Sequence, residues 1–205
     1  MSDIREGHLV ETAVFAALGR REELRDRLER AVADGVERAA LREVLLQVLP
    51  YAGFPRALSA LLVLAEVVPD GDALEEEADA DLRARGEAVF RAVYGDAADP
   101  ILERIRSAHP ALPDWILEDA YGKVLARGGL DLPEREVLGV ALLTALDQPD
   151  QLQGHLRGGR RVGASAERLR AAVETACRHV DDDVAARARA RLEREFAVRR
   201  PAPPA

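Results

Sequence analysis

Residues 41–49, LREVLLQVL, decide the fold class. Leu41, Val44, Leu45, Val48 and Leu49 recur at i, i+3, i+4, i+7 and i+8, one face of an α-helix. Upstream, Arg20–Arg30 carries Leu24 and Leu28 on one side. Glu23/Arg27 and Asp26/Arg30 lie at helical i, i+4 spacing on the other. No convincing alternating apolar/polar run of strand type occurs, and aromatic residues are only 4% of the chain. The reading is an all-α protein.

Composition narrows the function classes. The 205 residues are 48% hydrophobic and 32% charged, the balance of a globular chain. A formal net charge of −8 disfavours a polyanion partner, so nucleic acid is not expected. The apolar stretches Ala57–Ala65 and Val137–Leu146 fall short of the ~20 residues a membrane-spanning helix needs. The N-terminus lacks the basic and apolar regions of a signal peptide, so the expected location is cytoplasmic. A single cysteine, Cys177, rules out an internal disulfide, a CxxC redox pair and a cysteine-rich metal site. Lys123 is the one lysine, which leaves little room for Schiff-base chemistry. No cofactor and no metal are implied, since His179 with Asp181–Asp183 reads as a solvated helix start.

Breaks are expected at Gly19, Gly35, Pro50–Gly53, Pro69–Gly71, Gly95, Pro110–Pro113 and Gly128–Gly129. Asp131 with Glu134 and Pro133 reads as a capped helix start, and Ser165 as another. Shifted by 128 positions, residues 3–64 lie over 131–192 without a gap. Asp3 then falls on Asp131, Ala13 on Ala141, Leu24 on Leu152, Leu28 on Leu156, Gly35 on Gly163 and Leu41 on Leu169. A repeated four-helix unit explains this pattern. The expected organisation is a first unit at 1–70 lacking its leading part, a second at 71–198, and a disordered tail at 199–205. Helices 9–18, 57–68 and 137–146 are too apolar for the surface of a small monomer, so a homo-oligomer is expected.

Two stretches resemble the carboxymuconolactone decarboxylase family, whose fold is shared with the AhpD alkylhydroperoxidases. One is Gly19-Arg20, Leu24, Gly35 and EVLLQVLPYAGFPRALSAL at 43–61. The other is YGKVLARGGLDLPERE at 121–136, LLTALDQPDQLQGHL at 142–156, and Gly163. The resemblance implies an AhpD-like helical bundle that assembles into trimers or hexamers. It places the family's relay histidine at His155 and its glutamate at Glu136. The two thiol positions of the peroxidase branch fall on Gln148 and Gln151, which have no thiolate, so that activity is not expected. In the first unit the histidine and glutamate positions fall on Arg27 and His8.

The decarboxylase branch needs no cysteine. Loss of CO₂ leaves a carbanion-like centre to be stabilised and protonated, which suits an imidazole. His155 is the candidate acid/base and Glu136 the group that orients it. Arg135 and Arg127 are candidate anchors for a small carboxylate substrate. Along straight antiparallel helices of 1.5 Å rise, Glu136 lies ~16 Å and His155 ~9 Å from the connecting turn. That mismatch calls for a bridging water or a second side chain. Bland readings stand beside each role. His155 also fits a helix residue satisfied by a carbonyl, Glu136 a first-turn carboxylate, Arg127 a helix cap and Arg135 a surface pair with Asp131. Tyr51 with the Gly53–Pro55 turn also fits a structural corner, and Cys177 a small buried hydrophobe. The function expected is therefore carboxy-lyase-like proton-transfer chemistry on a small carboxylated lactone. The alternative is a non-catalytic helical protein retained for assembly or ligand binding.

Overall fold

A computed structural model describes residues 2–68 and 81–197. Every regular element among them is helical. In chain order these are α1 (Ser2–Leu18), α2 (Arg21–Ala33), α3 (Arg38–Gln47), α4 (Leu49–Val67) and α5 (Leu82–Tyr94). A 3₁₀ turn at Gly95–Ala97, α6 (Ala98–Ala108) and α7 (Leu112–Trp115) follow, and α7 runs into a π-helix at Ile116–Leu125. The last four are α8 (Leu132–Ala145), α9 (Pro149–Arg161), α10 (Ala166–Cys177) and α11 (Asp182–Phe196).

Local chemistry starts these helices where the sequence does. The Asp131 carboxylate accepts from the Glu134 N–H at 2.7 Å, and the Glu134 carboxylate accepts from the Asp131 N–H at 2.9 Å, a complete capping box. Ser165 accepts from the Arg168 N–H and caps α10. The break expected at Pro50–Gly53 is a kink inside α4, where Gly53 takes φ 79° and ψ 171°. Pro55 thus stands in the first turn after the kink, where its missing N–H costs little. The expected break at Pro69–Gly71 and the tail 199–205 lie outside the described residues.

The helix boundaries repeat at the 128-residue offset. Adding 128 carries Arg21–Ala33 onto Pro149–Arg161, and Arg38 onto Ala166. Gly35 and Gly163 both turn through positive φ. Gly19 at φ 70° corresponds to Asp147 at φ 53°, the one positive-φ residue other than glycine among those described. The kink at Gly53 corresponds to Asp181, the N-cap of α11.

α8 occupies the centre. Every residue from Arg135 to Ala145 is buried, with α1, α9 and α10 packed around it. One continuous core draws on both ends of the chain, from Leu9 through Leu45 to Leu142, Leu169 and Leu192. The two units are therefore not separate globules. A smaller cluster of Phe90, Ala98, Leu117, Tyr121 and Leu125 joins α5 to the π-helix. These two elements touch backbone to backbone. A Cβ on Gly86 would lie 1.8 Å from the Leu117 carbonyl oxygen, and one on Gly122 would lie 2.2 Å from that of Leu82. This hairpin also packs against α9, α3 and α4.

Two of the three helices expected to need a second subunit are covered within the chain. Residues 137–145 are enclosed by the chain's own helices, and Leu9, Val10 and Ala13–Ala17 are buried against α8 and its neighbours. Only α4 leaves an apolar face open, with Phe54 76%, Leu58 59% and Leu62 53% exposed. The Glu23/Arg27 pairing is replaced, because Arg27 turns inward to Glu11 and His8.

Candidate functional site

α9 carries Leu152, His155, Leu156 and Gly159 at i, i+3, i+4 and i+7, all buried. That stripe turns His155 toward α8, where Glu136 sits just past the first turn. His155 is 7% exposed and Glu136 1%. His155 Nδ1 lies 3.0 Å from Glu136 Oε2, a direct buried contact. The straight-helix count, which called for a bridging group, is corrected by two glycines. A Cβ on Gly158 would lie 2.9 Å from Glu136 Oε2, and one on Gly139 would lie 3.3 Å from His155 Nδ1. Without those methyl groups the helices approach closely enough for the side chains to close the axial gap.

The other edge of the imidazole faces phenols. His155 Nε2 lies 3.4 Å from the Tyr94 hydroxyl, the long end of a hydrogen bond. The Tyr121 hydroxyl donates to that of Tyr94 at 3.1 Å. The Tyr51 ring sits 6.0 Å from the imidazole, centroid to centroid. The three tyrosines of the chain, on α4, α5 and the π-helix, thus converge on one histidine. Burial pushes all three hydroxyls up, Tyr94 to about 12, and the Glu136 carboxylate adds to each shift. They remain neutral donors at any ordinary pH. With the proton on Nδ1, His155 donates to Glu136 and accepts at Nε2 from Tyr94, so the chain Tyr121–Tyr94–His155–Glu136 runs donor to acceptor throughout.

The two arginines are drawn elsewhere. Arg135 is 1% exposed and donates to Glu43 Oε2 at 2.9 Å, to the carbonyls of Arg127 and Gly128, and to Gln47 Oε1 at 3.2 Å. Gln47 donates back to the Arg135 carbonyl at 2.7 Å. Arg127 Nε donates to Glu43 Oε1 at 3.0 Å. One buried carboxylate of this chain therefore already holds both forks. The surface pair with Asp131 is replaced by this buried cluster, because α8 is central and is enclosed from Arg135 onward. Burial lowers the Arg135 pKa, and Glu43 partly offsets that. Sequence reasoning missed Glu43 and Gln47. Their signal was two polar residues at i, i+4 within the apolar run 41–49, which calls for a buried polar partner.

The remaining sites follow simply. Gln148 and Gln151 are exposed, and the Gln148 side chain donates to the Leu146 carbonyl. Cys177 is buried with its thiol pushed up by desolvation, the character of a packing residue. In the first unit, Arg27 touches His8 at 3.3 Å, and His8 Nε2 lies 2.7 Å from Asp34. Glu11, at the position of Gly139, pairs with Arg27. Charged groups there fill the space that glycine leaves beside His155. No group of three or more His, Cys, Asp or Glu residues among those described could hold a metal. No helix among the described residues is long and apolar enough to cross a membrane.

The carboxymuconolactone decarboxylase family model matches residues 3–66 and 110–194, most of the chain. The chain belongs to the carboxymuconolactone decarboxylase family. Glu136, His155, Tyr51 and Tyr121 lie inside the matched segments, whereas Tyr94 on α5 lies between them. The chain is 34% identical over 137 residues to Peroxisomal protein 2 of Schizosaccharomyces pombe, covering 64% of each. It is 24% identical over 163 residues to Peroxisomal protein 2 of Saccharomyces cerevisiae, covering 65% of this chain and 58% of the relative. It thus spans less than two thirds of the length of these relatives.

Proposed function

We propose that this family member catalyses proton transfer at His155, of decarboxylase type, on a small carboxylated lactone. The observation that carries the reading is the 3.0 Å contact between His155 and Glu136 in a buried setting. When CO₂ leaves the ring carbon, its bonding pair moves through a conjugated double bond into the lactone carbonyl. His155 Nε2, which takes up a solvent proton in place of the long Tyr94 contact, then protonates the carbon next to that carbonyl, and a further solvent proton restores the imidazolium. Glu136 fixes the ring and supports the imidazolium charge. Arg135 and Arg127 act through Glu43 as a buried brace rather than as the anchor of the substrate carboxylate. No thiol takes part, which sets the proposal apart from peroxidase chemistry.

The ultraviolet-monitored turnover of 4-carboxymuconolactone tests this. Wild type should turn it over, and His155→Ala should lose about 10²-fold or more in kcat. Equal rates in both would remove His155 from the mechanism.

One observation favours a second reading, a non-catalytic ligand-binding or assembly protein. The Tyr94 hydroxyl stands over Nε2, the position a substrate would need. Under that reading wild type shows no turnover, and Tyr94→Phe does not unmask any. We further propose a cytoplasmic location, with neither nucleic acid nor membrane as partner. The relatives' name assigns those proteins to the peroxisome, and cell fractionation separates the two locations.

A further inference from the structure

The phenols around His155 are not equivalent. Tyr121 is committed to Tyr94, and Tyr94 to His155. The Tyr51 hydroxyl, by contrast, makes no hydrogen bond within the described residues, although its ring packs against the core and the imidazole. It lies over Gly139 of α8. A Cβ on Gly139 would come within 2.8 Å of that hydroxyl and 3.3 Å of His155 Nδ1, so both polar groups meet over the same glycine. Tyr51 is only partly buried, and its hydroxyl is not among the enclosed polar atoms left without a partner, so an arriving ligand can reach it.

We infer that Tyr51 is the donor to the reacting oxygen of the ligand, and that this oxygen is a conjugated carbonyl that becomes an enolate. The inference rests on proton transfer at His155 and adds to it the group that holds the charge. As the carbon–carbon bond to the carboxylate breaks, CO₂ departs and the electron pair settles on the carbonyl oxygen. That oxygen then accepts a shortened hydrogen bond from Tyr51 while His155 protonates carbon. Charge on the oxygen is met by a preformed dipole rather than by a cation. This fits a site whose nearby arginines are both held by Glu43. The donor comes from α4, in the first repeat, while the acid/base lies on α9, in the second. The site is therefore built across the two units. At the matching position the second unit carries His179, whose ring packs edge-on against Phe15 with centroids 4.6 Å apart.

The test uses p-nitrophenol, a planar oxyanion mimic whose phenolate is coloured. Wild type should bind it and draw its proton to His155, raising phenolate absorbance below the pH at which the free phenol ionises. Tyr51→Phe keeps the ring and should weaken binding by about tenfold or more, the size of a lost charge-assisted hydrogen bond. Gly139→Ala keeps the hydroxyl but pushes it aside, and should weaken binding likewise. Thermal melting checks that both variants fold. Wild type that fails to bind the probe, or folded variants that bind it as tightly as wild type, would overturn the assignment. Turnover separates this from the wider proposal. Loss in His155→Ala with full kcat in Tyr51→Phe sinks the Tyr51 role alone. Probe binding through Tyr51 without any turnover sinks the proton-transfer reading alone.

Discussion

Glu43 holds two arginines with one carboxylate. Its carboxylate, 7% exposed, accepts from both Arg127 and the fully enclosed Arg135. Glu43→Gln removes that charge and leaves Arg135 buried with uncompensated charge. The expected loss is about 3–5 kcal/mol, read by urea denaturation. Arg135→Met, which removes the cation, should be rescued in part by Glu43→Gln, since the double variant buries no charge. The tyrosines make a pH-dependent contribution. The Tyr94 hydroxyl is raised from 10.0 to about 12, so the folded state holds its proton where the unfolded chain has released it. That stability is fully present below pH 10 and is lost as pH climbs toward 12, at about 1.4 kcal/mol per pH unit. Denaturation across this range should show a slope that contains this share, and Tyr94→Phe should reduce it by as much while Tyr51 and Tyr121 keep the rest. At this scale the sequence showed the histidine and the glutamate through their spacing of nineteen positions. It did not show Tyr94 or Tyr121, which reach His155 only through tertiary packing of α5 and the π-helix.

Among elements, the contact between α8 and α9 decides whether a site exists. Gly158 on α9 faces Val93 and Glu136, and an added methyl would lie 2.4 Å from Val93 Cγ1 and 2.9 Å from Glu136 Oε2. Gly158→Ala should cost about 1–3 kcal/mol of stability through overpacking. It should also lengthen the His155–Glu136 contact, which the ¹⁵N shifts of His155 would report. Unchanged stability and shifts would show that the helices do not depend on this close approach. The helix starts at Asp131 and Ser165 were legible because capping is local chemistry. The separation of Glu136 from His155 was not. Axial counting treats helices as straight parallel rods, and small residues at a crossing break that assumption. Arg135 was misplaced for a related reason. A first-turn charge usually faces solvent, but α8 is wrapped on all sides, and periodicity within one helix does not report its neighbours.

At the scale of the whole molecule, α1–α4 and α8–α11 close over one core around α1 and α8. The helical class and the 128-residue offset were readable from apolar spacing and turn glycines. Which apolar helices face one another was not, so three helices were read as needing a second subunit where the chain covers two itself. The third, α4, still presents Phe54, Leu58 and Leu62 at i, i+4 and i+8 on its outer face. We propose that a second copy of the chain covers this stripe. Leu58→Asp with Leu62→Asp should then shift the mass measured by light scattering to that of a monomer of 22.3 kDa. Wild type that already runs at that mass would contradict it.

The central claim is that His155 and Glu136 work as one proton-transfer unit, and a double-mutant cycle on 4-carboxymuconolactone turnover tests it most directly. Members of a single unit lose activity non-additively. Wild type should turn the lactone over. Glu136→Gln should lose part of that rate and His155→Gln about 10²-fold or more, with the double variant no slower than His155→Gln. Losses that multiply in the double variant, or a wild type that leaves the lactone untouched, would contradict it.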